Sequence, residues 1–137
     1  FRDRQITKKH TLKKGKIRVL KSRNISNNDI VSLDGYDTYL NETDSFVVSK
    51  YLNKKNVYLV PNLTYYPRAC RLPKNSIADG SAALLFPKKN QHINNKQLEF
   101  FASKEFTYFY RIARNFGTRS LNIDKNSIFF WGTKKVV

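Results

Sequence analysis

Residues 97–121, QLEFFASKEFTYFYRIARNFGTRSL, decide how the chain is read. Phe106, Phe109, Tyr110 and Ala113 fall at i, i+3, i+4 and i+7, the spacing that lines one side of an α-helix. Arg111 and Arg114 lie three residues apart towards its C-terminal end, where cations suit the helix dipole. Gly117 is placed to stop it, and Thr118, Arg119 and Ser120 follow at once on a polar turn. Upstream, Asn94 with Gln97 has the form of a capping box that opens a short first helix through Leu98, Phe101 and Ala102. Ser103 is then placed to cap the second helix. Two accounts of the far edge stand side by side. It is either the solvated end of an ordinary amphipathic helix, or two arginines and a Thr-Arg-Ser turn forming one phosphate- or base-contacting patch.

Working outward, Ser127-Ile128-Phe129-Phe130-Trp131 reads as a closing strand, with Trp131 expected as a core aromatic at its end. On the other side, Asp79-Gly80 marks a turn into Ala82-Ala83-Leu84-Leu85-Phe86, a short apolar run that reads as a buried strand. Lys88, Lys89 and Asn90 then form a basic surface loop. In VPNLTYYPRACRLPKN, residues 60–75, the prolines at 61, 67 and 73 exclude a long helix or an uninterrupted central strand. A structured loop or a bent edge segment is expected. It carries Asn62, Thr64, Tyr65, Tyr66, Arg68 and Arg71 and no acid. Arginine can pair bidentately with guanine, asparagine with adenine, and threonine and tyrosine with phosphates or bases. The same side chains also suit a buried Tyr/Pro loop that holds two strands apart. A mixed outcome is expected, with Arg68 and Arg71 as contacts and one tyrosine internal.

The N-terminal half divides by charge. Phe1 to Arg23 holds ten basic residues, Arg4, Lys8 and Lys9 among them, against the single acid Asp3. Residues 1–16 read as a basic arm or as a linker from an upstream domain. Lys13-Lys14-Gly15-Lys16 looks like a turn feeding the strand Ile17-Arg18-Val19-Leu20, which ends on the polar cluster Lys21, Ser22, Arg23 and Asn24. From Asn24 to Ser49 the sign reverses, with Asp29, Asp34, Asp37, Glu42 and Asp44 and no lysine or arginine. That segment is expected to face away from any phosphate backbone, or to lie against another domain. Its carboxylates match no metal-binding loop and read as a solvated face. Ile30-Val31-Ser32-Leu33 reads as a strand closed by the Asp34-Gly35 turn. Phe46-Val47-Val48 and Val57-Tyr58-Leu59-Val60 are the next strand candidates, with Lys54-Lys55 as a turn between them. Asn24, Asn41 and Asn62 each open a glycosylation-type triplet, which carries little meaning without a secretory signal.

Composition sets the partner class. At 137 residues one domain is expected, large enough to bury its own core. A formal charge of +16 points to a polyanion, nucleic acid first and an anionic membrane surface second. The ten Phe and eight Tyr exclude a disordered basic tail. The single cysteine, Cys70, cannot form an internal disulfide, which suits a cytoplasmic protein. No apolar run approaches a membrane span. With no methionine and an opening at Phe1, the sequence is expected to be a piece of a longer protein.

Catalytic signals are missing. The five glycines are scattered, so there is no phosphate or dinucleotide loop. His10 and His92 stand alone, without ligand or triad spacing. No Glu-x-Lys follows an Asp in the manner of a metal-dependent nuclease core. The fragment is expected to bind rather than to react.

Five segments carry a resemblance: IRVLKSRNI (Ile17–Ile25), VPNLTYYPRACRLPKN (Val60–Asn75), DGSAALLFPK (Asp79–Lys88), QLEFFASKEFTYFYRIARNFGTRSLNID (Gln97–Asp124) and IFFWG (Ile128–Gly132). Together they look like the target-recognition domain of adenine-N6 DNA methyltransferases from type II restriction-modification systems. That domain is akin to the Taq-type C-terminal specificity domain and similar in layout to the recognition domains of type I specificity subunits. The likeness spans nearly the whole chain, and RIARNFGTRSLNID is its most specific part. It implies an α+β domain, mixed and strand-rich, with short helices near the C-terminus. It also implies a parent that binds S-adenosylmethionine, flips an adenine and methylates its N6 with an Asn/Asp-Pro-Pro-Tyr/Phe motif. No two prolines are adjacent here, so the catalytic domain would lie elsewhere in the parent. The partners implied are double-stranded DNA and that catalytic domain, with no membrane. Whether the parent also cleaves DNA is left open.

The expected contacts then divide. Lys8, Lys9, Lys54, Lys55, Lys88 and Lys89 would anchor phosphates, which fixes register without reading sequence. Arg23, Asn24, Asn62, Thr64, Arg68, Arg111, Arg114 and Arg119 would read bases or hold the backbone closely. Arg4, Lys21, Tyr66, Arg71 and Thr118 complete the expected surface. A basic RNA-binding or protein-interaction module is the alternative, and a strand carrying alternate aromatics for base stacking would favour the RNA reading.

Overall fold

A computed structural model describes residues 1–87, 93–113 and 121–122, the side chains of 111–113 and 121–122 excepted. In chain order the first half contains β1 (Ile17–Leu20), β2 (Ile25–Ser26), β3 (Asp29–Ile30) and β4 (Thr38–Leu40). The second contains β5 (Tyr58–Pro61), β6 (Leu63–Thr64), β7 (Cys70–Arg71), β8 (Ser76–Ala78) and β9 (Ala82–Leu85). The helices α1 (Asn95–Phe101) and α2 (Lys104–Ala113) follow, then β10 (Leu121–Asn122). The class is α+β, with small mixed sheets and two helices towards the C-terminus.

β5 and β9 form the central wall. They pair antiparallel, with Leu59 opposite Leu84 and Val60 opposite Ala83, and every residue in both strands is buried. Strand side chains alternate between faces, and here each face has its own core. Leu59, Ala82 and Leu84 pack with Val19, Leu20, Leu40 and Ile77. Tyr58, Val60, Ala83 and Leu85 pack with Leu98, Phe101, Phe106 and Tyr110 of the helices. Burial on both sides is why these strands read as continuous apolar runs rather than alternating ones. β7 completes this sheet as an edge, pairing with β5 through Cys70 and Leu59.

A second sheet has the order β4-β1-β8, with β1 antiparallel to β4 and parallel to β8. The parallel partner arrives late in the chain, Val19 lying against Ile77. β2 and β3 form a two-residue hairpin whose turn residue Asn28 sits at φ 58°. Asparagine tolerates this left-handed region better than most residues, and Asn53, Asn56 and Asn75 repeat the device.

The N-terminal segment is part of the fold. Phe1 and Leu84 exchange main-chain hydrogen bonds at 2.8 and 2.7 Å, and Arg2 Nε donates to Gly80 O. Buried Asp3 accepts from the Gln5 and Ile6 amides, Ile6 enters the core, and Leu12 bridges to Tyr39. Only glycine fits at position 80, because a Cβ there would stand 2.6 Å from Asp3 O.

Several expectations are met. β1, β5 and β9 lie where the apolar runs place them. Asn94 Oδ1 accepts from Gln97 N at 2.8 Å while Gln97 Oε1 accepts from Asn94 N, which is the capping box of α1. Ser103 Oγ accepts from Phe106 N at 3.0 Å at the start of α2. Residues 60–75 form a bent segment carrying β6 and β7.

Others are corrected. The strand expected at Ile30–Leu33 stops at Ile30, because Leu33 O turns the chain by accepting from the Tyr36 and Asp37 amides. Phe46–Val48 forms no strand. Thr43 O accepts from Phe46 N and Phe46 O from Ser49 N, winding Val47–Tyr51 into a 3-10 helix. Lys88, Lys89, Asn90, His92, Gly117 and the closing strand at 127–131 lie outside the described residues.

Candidate nucleic-acid interface

Arg68 organises the region where most expected contacts meet. From the segment between β6 and β7 its guanidinium reaches back to the turn after β1. Nε donates to Ile25 O, and Nη2 donates to Ser22 O at 3.1 Å. Nη1 donates to Thr64 Oγ1 at 2.7 Å and to Tyr66 O at 3.2 Å. All four acceptors are neutral. Burial lowers the guanidinium pKa, with Cys70 and Tyr36 acting the other way, yet an arginine keeps its proton in a protein. A half-buried positive charge is therefore held here with no carboxylate hydrogen-bonded to it among the described residues.

Above it lies a groove of about 310 Å³, walled by Ser22 and Arg23 on one side and by Leu63–Tyr66 and Arg68 on the other. No acid is among its described lining residues. Tyr65 and Tyr66 are 57% and 71% exposed, so both rings stand out into solvent and the expectation of one internal tyrosine is corrected. The backbone beneath them is fixed by Thr64, whose hydroxyl accepts from Tyr66 N and donates to Tyr66 O.

Tyr36 orients the opposite wall. The Lys21 ammonium sits 3.9 Å and the Arg23 guanidinium 4.9 Å from its ring centroid. Its hydroxyl accepts from Arg23 N, and its carbonyl from the Lys21 ammonium. Cation–π contacts of this kind contribute on the order of 0.5–2 kcal/mol. They keep two cations side by side despite their mutual repulsion.

Arg23, Thr64, Tyr66 and Arg68 thus share one groove, with Lys21 beside it. Asn24 does not belong to this surface. It is fully buried, accepts from Lys21 N and donates to Val31 O and to Asp37 Oδ1 at 2.7 Å. Both donors and the acceptor are spent inside the fold, which corrects its expected role on the DNA. Asp37 also takes the Arg18 guanidinium at 3.0 Å and the Leu33 amide, so this acid is structural. Thr64 is buried and supports the groove from below. Asn62 is half-buried, its amide on Ser81 O.

Arg71 is exposed but faces elsewhere, donating to Asn28 Oδ1 and Asn95 Oδ1 and lying over the Tyr58 ring. Arg4, Lys8 and Lys9 are exposed on the N-terminal segment, and Lys54 and Lys55 on the turn before β5. Arg111 lies in α2 with its side chain outside the described residues, as are Arg114, Thr118 and Arg119. Sequence reasoning left out Tyr36 and Leu63, and named Ser22 and Tyr65 only as members of their polar stretches. Tyr65 was detectable beside Tyr66 in an acid-free loop. Nothing local marks Tyr36, whose partners lie 13 to 15 residues away.

Among the described residues no group of His, Cys, Asp and Glu could hold a metal ion, and no helix is long and apolar enough to cross a membrane. No protein-family model matches the chain, and no curated protein matches it.

Proposed function

We propose that this chain recognises double-stranded DNA as the specificity domain of an adenine-N6 methyltransferase of a restriction-modification system. The catalytic domain, with its S-adenosylmethionine, lies elsewhere in the parent. The observation that carries DNA binding is the groove in which Arg23, Arg68, Tyr65 and Tyr66 converge with no acid among the described lining residues, on a chain of formal charge +16. Arginine and tyrosine suit both phosphate and base edges, and a surplus of this size needs a polyanion. The methyltransferase assignment rests on the resemblance of the five segments quoted above.

Fluorescence anisotropy on labelled duplexes tests the reading. Affinity is expected to fall linearly on a log–log plot as salt rises, and selection from a random duplex pool is expected to enrich one short motif. An affinity indifferent to salt, or equal for all duplexes after selection, sinks it. The two exposed tyrosines give the RNA alternative its one supporting observation, since unpaired bases stack on such rings. Competition between duplex DNA and single-stranded RNA of equal length separates the two.

A further inference from the structure

A second depression of about 310 Å³ lies across the Lys21–Asn24 turn from the groove, between the N-terminal segment and the Tyr36 turn. Lys21 and Tyr36 line this cleft, while the next residues, Ser22 and Arg23, line the groove. Lys8, Thr7 and Thr11 form its outer wall and Thr38 part of its inner one. The Thr38 hydroxyl is buried, and no hydrogen-bond partner is found for it among the described residues. Asp79 is the one acid among the described lining residues, and its Oδ1 already accepts from the Ser81 amide and hydroxyl at 2.9 and 2.6 Å.

We infer that this cleft takes one backbone phosphate of the bound duplex, held by the Lys8 and Lys21 ammoniums. The Lys21–Arg23 ridge then parts this phosphate from the nucleotide contacted in the groove. One strand crosses the ridge, and Tyr36 acts as a positioning residue for both sides. The cleft fixes the register of the strand and reads no sequence, because phosphates are alike at every step. This inference rests on the DNA-binding reading and adds a second contact to it.

Salt titrations of duplex affinity for the wild-type chain, Lys8→Ala and Thr38→Val test it. Lys8→Ala is expected to make the log–log salt slope shallower by about 0.9, the value for one released counterion. The loss should be equal on preferred and random duplexes. Thr38→Val removes no charge and a hydroxyl the phosphate does not reach, so affinity and slope are both expected to stay at the wild-type values. Lys8 is exposed, so its removal leaves the fold intact and keeps the test valid even where Thr38→Val melts early. If the wild-type chain binds duplex in a salt-dependent way and Lys8→Ala matches it in affinity and slope, the phosphate site is overturned alone. A wild-type chain that ignores duplex DNA overturns the functional reading and this site together.

Discussion

Arg23 and Arg68 share a groove, yet removing each is expected to fail in a different way. Arg23 is exposed and rests on Tyr36. Arg23→Ala should leave the urea midpoint within the scatter typical of surface changes, about 0.5 kcal/mol, while weakening binding to a selected duplex by about 1–3 kcal/mol if it contacts a base. Arg68 ties the β6–β7 segment to Ser22 and Ile25 through two of its four hydrogen bonds and braces that segment internally with the other two. Arg68→Ala should lower stability by about 2–4 kcal/mol, read as a shift of the urea midpoint at constant slope. Lysine cannot span four acceptors with one ammonium, so Arg68→Lys should recover little.

Cys70 gives a pH test. Burial chiefly, with Asp29 adding and Arg68 opposing, pushes its thiol from the ordinary 9.0 up to about 12. The folded state therefore holds this proton where the unfolded chain has released it. The contribution is full below about pH 9 and is lost as pH climbs towards 12. Alkaline denaturation compared between wild type and Cys70→Ala should show a shallower decline for the variant. Parallel curves would count against a buried thiol.

At the scale of elements, α2 is held by what it buries. Phe106 and Tyr110 are each 1% exposed, whereas Tyr108 is 70% exposed. Phe106→Ala should cost about 3–5 kcal/mol, and Tyr108→Ala no more than about 0.5. Thermal melts of the two variants check the contrast. The i, i+4 pair Phe106 and Tyr110 was readable in advance, whereas Phe109, expected on the same face, is 38% exposed; the caps Asn94 and Ser103 were readable because capping chemistry is local. β5 and β9 were readable as unbroken apolar runs. β4 and β8 were not, because Thr38–Leu40 and Ser76–Ala78 are short and take their pairing from β1. Val19 meets Ile77 only after a long stretch of intervening chain has been threaded between them. Asn24 misled for a similar reason: a polar residue after a strand suggests a contact surface, and its true partners, Val31 and Asp37, lie beyond a hairpin. The Arg68 side of the groove was visible as an acid-free run, whereas the Tyr36 side sits in the most acidic part of the sequence.

For the whole molecule, the basic surplus is the leading observable. If two walls of a groove and a neighbouring cleft all face one strand, then binding should weaken steeply between dilute and physiological salt, by orders of magnitude when many phosphates are contacted. The acidic stretch was expected to point away from the DNA. Asp37 turns inward on Arg18 and Asn24. Asp29 stands on the hairpin beside β7, where its charge reaches Cys70.

β5 sends alternate side chains into two separate cores, so neither core can come apart without withdrawing half of that strand's support from the other. Heat should find no intermediate in which the helical side has loosened and the remainder stands. A single endotherm whose van't Hoff and calorimetric enthalpies agree is the expected signature, and the amides of Leu59 and Val60 should be among the last in the chain to exchange with deuterium.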